Sequence, residues 1–225
     1  MLKKNSVLLS FNSQKDLDFN ACQFIIEKAK IAIREKGSFS LVLSGGTTPV
    51  NVYKLLAKEQ VNFEKWYIYF GDERCFSSNH IERNSFVAQS VWLSKVNIPK
   101  SNIFIIPSEL GNKAGSISYE KTLDPNKSFD LVILGLGDDG HVASLFPNHK
   151  WDNSKQVVSV SHSPKAPSDR ISLTPSRLSN TEDVLFLISG KNKINAFKKW
   201  KEGVDLPVNF ISAKNKISIM TFDIV

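Results

Sequence analysis

The chain has 225 residues, of which 41% are hydrophobic and 23% are charged. These values are ordinary for a globular protein, and the length suits one large domain or two small ones. The formal net charge of +7 is compatible with nucleic acid, an anionic membrane surface or a small anionic substrate. No nucleic-acid motif accompanies the positive charge, so nucleic acid is disfavoured as a partner.

The two cysteines, Cys22 and Cys75, match neither a disulfide framework nor the spacing of a metal site. We expect two reduced thiols in a reducing compartment. The apolar stretch over residues 7–11 is too short for a signal peptide. No run of about 18 apolar residues is present, which disfavours a membrane-spanning helix. The sequence therefore predicts a cytoplasmic protein with no membrane partner.

Apolar periodicities predict alternating strands and helices along the whole chain. Strands are predicted over residues 7–11, 39–43, 66–70, 102–106, 129–134, 157–160, 170–173, 184–189, 208–211 and 217–221. Helices are predicted over residues 15–36, 50–58, 84–91, 115–123, 175–178 and 191–201. Such alternation is typical of βαβ units and a mostly parallel sheet. We therefore expect an α/β fold with helices flanking the sheet, in a single domain over residues 1–225.

The segment GLGDDGHVASLFP begins at Gly135, directly after the predicted strand over residues 129–134. Its glycines let the backbone turn sharply, and His141 follows with Asp139 two residues before it. Histidine exchanges protons near neutral pH, and a nearby carboxylate fixes its tautomer. An acid–base pair at the end of a buried strand is where open α/β sheets place their chemistry. The alternative interpretation of His141 is a capping or core histidine.

The same segment also matches the dinucleotide pattern G-x-G-x-x-G, but its surroundings disfavour that function. Asp138 and Asp139 would repel a pyrophosphate, and Pro147 shortens the helix that should follow. No acidic residue lies between Ser154 and Ser168, where a ribose-binding carboxylate is expected. We therefore do not expect NAD as a cofactor.

The sequence SGGTTP at residues 44–49 joins a predicted strand to a predicted helix. Gly45 and Gly46 permit close approach of the backbone, and the helix N-terminus offers N–H groups to an anion. The segment lacks the lysine of a P-loop, which disfavours a nucleoside triphosphate. A phosphate monoester is the expected ligand. The alternative is a tight turn in which Thr47 or Thr48 caps the helix.

Charged residues follow other predicted strands in the same way. The sequence DER at residues 72–74 comes directly after the predicted strand over residues 66–70. In a parallel sheet this strand end lies at the same edge as Ser44 and Gly135, so we expect one shared site there. Arg170 and Lys193 are further cations near strand ends. The alternatives are a surface ion-pair cluster at residues 72–74 and ordinary solvated cations at the other two positions.

Taken together, these segments resemble the 6-phosphogluconolactonase family, within the wider group that includes glucosamine-6-phosphate deaminases. The resemblance is carried in chain order by LSGGTTP, GDERC, Asn84, GLGDDGHVASLFP, RISLT and SGKNK. It implies a Rossmann-like α/β sheet with a smaller β-containing region, the deaminase/phosphoribose-isomerase-like fold. It also implies hydrolysis of 6-phospho-D-glucono-1,5-lactone to 6-phosphogluconate in the pentose phosphate pathway, with no metal or cofactor.

The resemblance implies three catalytic residues. His141 takes a proton from water, which attacks the lactone carbonyl, and Asp139 orients the imidazole. Arg74 stabilises the developing oxyanion or anchors the substrate.

The resemblance also implies a set of residues that bind the substrate or its phosphate: Ser44, Gly45, Gly46, Thr47, Asp72, Asn84, Arg170 and Lys193. Backbone N–H groups of the glycine turn hold the phosphate, with charge-assisted hydrogen bonds from Arg170 and Lys193. Asp72 and Asn84 bind sugar hydroxyls or order the loop. We expect this small phosphorylated lactone as the partner, and a monomer or weak homodimer.

Two other functions stay open from the sequence. Deaminases of the same group carry a glutamate five residues after the histidine, where this chain has Phe146. A non-catalytic sugar-phosphate-binding regulator is the other alternative, although a pure binder has no need of the Asp139 and His141 pair. One departure from the lactonase pattern is Asp138, which replaces a residue that is often proline.

Overall fold

A computed structural model describes residues 2–224 of the chain. Its centre is a seven-stranded parallel sheet with the strand order β1-β10-β9-β6-β2-β3-β5. The strands of this sheet are β1 (Ser6–Ser10), β2 (Phe39–Leu43), β3 (Trp66–Phe70), β5 (Ile103–Phe104), β6 (Phe129–Leu134), β9 (Thr181–Ser189) and β10 (Lys216–Phe222). The mostly parallel α/β fold predicted from the alternating pattern is therefore confirmed.

A second, three-stranded antiparallel sheet forms the smaller β region. It consists of β4 (Asp72–Arg74), β8 (Arg170–Leu173) and β7 (Val157–Val160), in that order. A single residue, Gly71, separates the end of β3 from the start of β4, so the chain passes there from the large sheet to the small one. This small sheet matches the smaller β-containing region that the family resemblance implied.

Within residues 2–224, six α-helices cover the sheets: α1 (Gln14–Lys36), α2 (Thr47–Leu56), α3 (Asn84–Val91), α4 (Asn112–Glu120), α5 (Pro175–Ser179) and α6 (Ile194–Glu202). The ends of α1 show why it forms where it does. The Ser13 side chain accepts a hydrogen bond from the Asp16 N–H, and Gly37 ends the helix with a φ of 80°. α1 packs on β2, β6 and β10, and α4 packs on the small sheet.

The core is one continuous set of buried apolar side chains on both faces of the large sheet. β6 is buried at all six positions, as expected for a central parallel strand covered on both faces. On one face Trp200 of α6 packs against Phe186 of β9, with ring centroids 4.8 Å apart. None of the helices within residues 2–224 is long and apolar enough to cross a membrane.

Several predicted element bounds differ from the structure, and three differences concern the type of an element or the start of a helix near the site. Residues 208–211 were expected to form a strand, but Pro207–Phe210 is a 3-10 helix, which suits a proline in its first turn. Residues 191–193 form a separate 3-10 turn before α6 instead of its first turn. α2 begins at Thr47, three residues before the predicted start, so the glycine turn leads directly into the helix.

Candidate active site

The candidate site is a pocket of about 430 Å³ at the carboxyl ends of the parallel strands. The direction of strand order reverses between β2 and β6, because β2 leads to β3 and β5 while β6 leads to β9 and β10. Open α/β sheets bind ligands in the crevice at such a switch point. The loops after β2 and β6 contain the two glycine-rich segments described above, SGGTTP and GLGDDGHVASLFP.

Ten of the eleven predicted site residues line this pocket: Ser44, Gly45, Gly46, Thr47, Asp72, Arg74, Asn84, His141, Arg170 and Lys193. The eleventh, Asp139, contacts His141. The expectation that the three strand ends share one edge is therefore met. The chemical role of each residue stays a proposal.

His141 and Asp139 form a closely coupled pair in the turn after β6. His141 Nδ1 lies 2.5 Å from Asp139 Oδ1, and the His141 backbone N–H donates to the same oxygen at 3.1 Å. Burial opposes ionisation of Asp139, but the hydrogen bonds and charge of His141 outweigh it and hold the carboxyl pKa well below its ordinary value. Because Asp139 engages Nδ1, the Nε2 atom is the ring nitrogen of His141 without a hydrogen-bond partner among residues 2–224.

The turn that presents this pair depends on the absence of a side chain at Gly137. The Gly137 N–H donates to the His141 carbonyl at 2.8 Å, which closes the turn. A Cβ atom on Gly137 would lie 2.1 Å from His141 Nδ1 and 2.6 Å from Asp139 Oδ1. The imidazole and the carboxylate therefore pack directly over this backbone.

The turn after β2 has the geometry of an anion-binding helix N-terminus. Gly46 is the N-cap of α2 with a φ of 106°, and no side chain caps the helix. The alternative of a Thr47 or Thr48 cap is therefore wrong. The N–H groups of the first helical turn have no acceptor within the helix, so they are available to an anion.

Tyr53 fixes the start of this turn from within α2. Its hydroxyl donates to the Ser44 carbonyl at 2.8 Å and accepts from the Ser44 N–H at 3.0 Å. Tyr53 is fully buried, and burial raises the pKa of its hydroxyl, so it stays protonated and can make both bonds. The sequence analysis did not identify this residue, because a tyrosine on a helix face is usually a core residue.

Asp72 and Asn84 form a buried hydrogen-bond network beneath the pocket. Asn84 Nδ2 donates to the Asp72 carbonyl at 2.9 Å and to Asp72 Oδ1 at 3.1 Å. The Ser144 hydroxyl donates to the other oxygen of Asp72 at 2.6 Å. A Cβ atom on Gly45 would lie 2.1 Å from Asn84 Oδ1, so the glycine turn and this network touch. Asn84 thus joins the glycine turn after β2 to the small sheet.

Glu73 is a completely buried carboxylate that ties β4 to the N-terminus of α3. It accepts hydrogen bonds from the backbone N–H groups of Arg74, Asn84 and Ser85 at 2.7–2.9 Å. The buried Arg83 guanidinium lies 3.6 Å from its second oxygen. Burial raises the pKa of Glu73, and these N–H groups act in the opposite direction. The carboxylate therefore positions two residues of the pocket, Arg74 and Asn84.

Replacing Glu73 with glutamine should lower the free energy of unfolding by about 1–3 kcal/mol, because an amide NH₂ would then face buried N–H donors. Urea unfolding at neutral pH measures this change. Glu64→Gln, at an exposed position, is the matched control and should stay within about 0.5 kcal/mol of the wild type. Equal stability of the two variants would show that the Glu73 carboxylate does not hold α3 in place.

Arg74 lines the pocket, and its guanidinium keeps several N–H donors without an acceptor among residues 2–224. Its Nη1 donates to the Glu82 carbonyl at 2.5 Å. Its Nε is buried and has no acceptor among residues 2–224. A buried donor without an acceptor lowers the stability of the fold. A ligand oxygen that accepts from this donor would satisfy it.

The Arg170 guanidinium is largely engaged by the protein. Nη2 donates to the Ala166 carbonyl at 2.7 Å and to the Lys165 carbonyl at 3.3 Å, and Nε donates to the Pro167 carbonyl at 3.3 Å. These bonds hold the loop before β8 against the pocket. The loop brings in Lys165, which lines the pocket but was missed by the sequence analysis. Its signal is a lysine between two prolines, five residues before Arg170 of RISLT.

One group of side chains has the spacing of metal ligands. The ligand atoms of Asp138, Asp139 and His141 lie within 4.8 Å of one another. Both carboxylates are already engaged, Asp139 by His141 and Asp138 by Lys165. The two pairings with His141 and Lys165 therefore account for the position of both carboxylates.

The family model for glucosamine-6-phosphate isomerases and 6-phosphogluconolactonases matches residues 12–220. The chain belongs to this family. The resemblance inferred from the ordered motifs is therefore confirmed, and the family match spans nearly all of the chain.

Two relatives within the family are named as 6-phosphogluconolactonases. The 6-phosphogluconolactonase of Nostoc sp. is 31% identical over 91% of this chain and 90% of its own length. The chloroplastic 6-phosphogluconolactonase 3 of Arabidopsis thaliana is 32% identical over 92% of this chain and 70% of its own length.

Solved structures show the same fold. The 6-phosphogluconolactonase of Thermotoga maritima superposes with a TM-score of 0.87 and 28% identity, covering 96% of this chain and 99% of that one. A monomeric glucosamine-6-phosphate deaminase superposes with a TM-score of 0.82 at 20% identity, covering 96% and 97% of the two chains. The deaminase likeness shows the shared fold alone.

Proposed function

We propose that this protein hydrolyses 6-phospho-D-glucono-1,5-lactone to 6-phosphogluconate, with His141 as the general base. One observation carries the proposal: His141, paired with Asp139, lines the same pocket as the uncapped N-terminus of α2. Family membership and the lactonase relatives support the same activity.

The phosphate end of the pocket positions the substrate. The free N–H groups at the start of α2 bind the phosphate oxygens, and Lys193 supplies a positive charge. Arg170 contributes mainly through the loop that it holds, because carbonyl oxygens occupy its Nε and Nη2 atoms. Fixing the phosphate holds the lactone carbonyl near His141, and positioning of this kind contributes several kcal/mol to catalysis.

His141 performs the proton transfers. Its Nε2 takes a proton from a water molecule, which attacks the C1 carbonyl of the lactone. The imidazolium then returns the proton to the ring oxygen as the C1–O bond breaks. The ionised Asp139 holds the ring orientation and stabilises the imidazolium.

Arg74 is placed to stabilise the negative charge that develops on the carbonyl oxygen. Its buried Nε donor has no acceptor among the described residues, and its Nη1 bond to the Glu82 carbonyl fixes the guanidinium. A preoriented donor of this kind contributes about 3–4 kcal/mol in other acyl-transfer sites. Asp72 and Asn84 order the floor of the pocket through their shared hydrogen bonds.

Phe146 favours hydrolysis over deamination. Its fully buried ring packs 4.8 Å from the His141 ring, centroid to centroid. The carboxylate that the deaminase pattern places at this position is thus replaced by an apolar contact. The histidine here has one acidic partner, Asp139, and no carboxylate at position 146 to move a second proton.

The test is the purified protein with freshly generated 6-phosphogluconolactone, following acid release above the spontaneous rate. Glucosamine 6-phosphate is run in parallel for ammonia release. We expect rapid acid release and no ammonia. Ammonia without accelerated lactone hydrolysis would reassign the site to deamination. Binding of 6-phosphogluconate with neither reaction would favour a sugar-phosphate-binding regulator.

A further inference from the structure

Asp138 forms an ion pair across the rim of the pocket. Its carboxylate accepts a hydrogen bond from the Lys165 ammonium group, and both side chains are partly exposed. Lys165 lines the pocket, whereas Asp138 directly precedes the catalytic pair in the turn after β6. The ion pair therefore joins the catalytic turn to the loop before β8.

A second cation of the pocket lies within range of the same carboxylate. The hydrogen bond from Lys165 lowers the pKa of Asp138, and the charges of Lys165 and Lys193 act in the same direction. Burial lowers the pKa of Lys193, Asp138 opposes that shift, and Lys165 reinforces it. Asp138 is thus ion-paired with one cation of the pocket lining, Lys165, and attracts a second, Lys193.

The backbone of Lys165 is fixed, but its side chain is not. The Lys165 N–H donates to the Ser163 hydroxyl at 3.2 Å, and that hydroxyl donates to the Lys165 carbonyl at 2.7 Å. Arg170 binds the same carbonyl from the other side. The ammonium group has a single ion-pair partner among residues 2–224, on a flexible four-carbon stem. Rotation of the stem alone is enough to change that partner.

We propose that Asp138 competes with the substrate phosphate for Lys165. To bind Lys165, the phosphate must replace Asp138 as its ion-pair partner. This inference rests on the proposed function, in which a phosphorylated lactone enters the pocket. The exchange makes Lys165 a phosphate ligand in the complex and leaves Asp138 as a nearby negative charge. Asp138 therefore weakens the binding of phosphorylated anions.

Asp138 weakens the binding of the reaction product more than the binding of the substrate. Hydrolysis adds one carboxylate to the ligand, and the mechanism forms it beside His141. The Asp138 carboxylate lies within 4.8 Å of the ligand atoms of Asp139 and His141, so it repels this new charge directly. Asp138 is thus a specificity-determining residue that favours release of 6-phosphogluconate.

The test measures dissociation constants of 6-phosphogluconate and inorganic phosphate by calorimetry, which does not depend on turnover. Asp138→Asn should lower the dissociation constant of 6-phosphogluconate about three- to tenfold, and that of phosphate by a smaller factor. Glu202→Gln removes one exposed negative charge on α6, at a residue that does not line the pocket, and should change neither constant. Asp138→Ser repeats the test if the asparagine variant folds poorly.

A double-mutant comparison tests the exchange of partners. Lys165→Met should weaken 6-phosphogluconate binding, and by a larger factor in the Asp138→Asn background, where no ion pair must first be broken. If Lys165→Met weakens 6-phosphogluconate binding by the same factor in the wild-type and Asp138→Asn backgrounds, the exchange of partners is overturned. If Asp138→Asn binds 6-phosphogluconate no more tightly than Glu202→Gln does, the competition is overturned. Wild-type binding without lactone hydrolysis would contradict the proposed function instead, and the absence of binding would contradict both.

Discussion

Replacing His141 with alanine should lower lactone turnover at least about a hundredfold, because the protein then loses its general base and acid. The phosphate contacts lie on other elements, so the KM for the lactone should change much less than kcat. Initial rates with freshly generated 6-phosphogluconolactone, corrected for spontaneous hydrolysis, measure both constants.

His162→Ala is the control for this variant, because His162 is an exposed loop residue. It should keep turnover near the wild-type value. Circular dichroism and thermal unfolding establish that both variants are folded. Near-normal turnover by folded His141→Ala would rule out this histidine as the base.

Replacing Gly137 with alanine should slow the proton transfer by His141, although Gly137 contributes no reacting group. The added Cβ would lie 2.1 Å from His141 Nδ1 and 2.6 Å from Asp139 Oδ1, so the pair must separate or the turn must shift. Misplacement of about 1 Å costs on the order of a hundredfold in rate. We expect kcat to fall by at least that factor, as measured with the same lactone assay.

Gly135→Ala is the matched control, in the same turn and two residues away. A Cβ atom at Gly135 would have no neighbour within 4 Å. Its effect on kcat should be at least about tenfold smaller than that of Gly137→Ala. Equal losses in the two variants would mean that the turn tolerates no side chain at either position, and that the contact with His141 is not the cause.

The large sheet and the location of the site were predictable because their signals are local. β2, β3 and β6 have the predicted bounds, since each is a short, mostly apolar run with a glycine one or two residues after its last residue. Parallel strands then bring the segments after them to one edge whatever the exact topology. The glycine turns at Gly45 and Gly137 were recognisable for the same reason.

The parts that sequence reasoning missed depend on long-range contacts. The sequence DER was read as a charged strand end, but Asp72–Arg74 is a strand because it pairs with β8, about a hundred residues later. Arg170 was predicted to bind phosphate directly, yet the carbonyl groups of the preceding loop engage two of its nitrogens. No local pattern reports that Asp138 meets Lys165.

The most direct test of the whole account compares kcat/KM of the wild-type protein for 6-phosphogluconolactone and for unphosphorylated glucono-1,5-lactone. Both lactones carry the same carbonyl, but only the first can use the helix N-terminus and the lysines of the pocket. Charge-assisted hydrogen bonds to the phosphate contribute about 1.5–3 kcal/mol each, so the phosphorylated lactone should be preferred at least about a thousandfold. Equal values for the two lactones, or no acceleration of either, would contradict a phosphate-anchored lactone hydrolysis at this site.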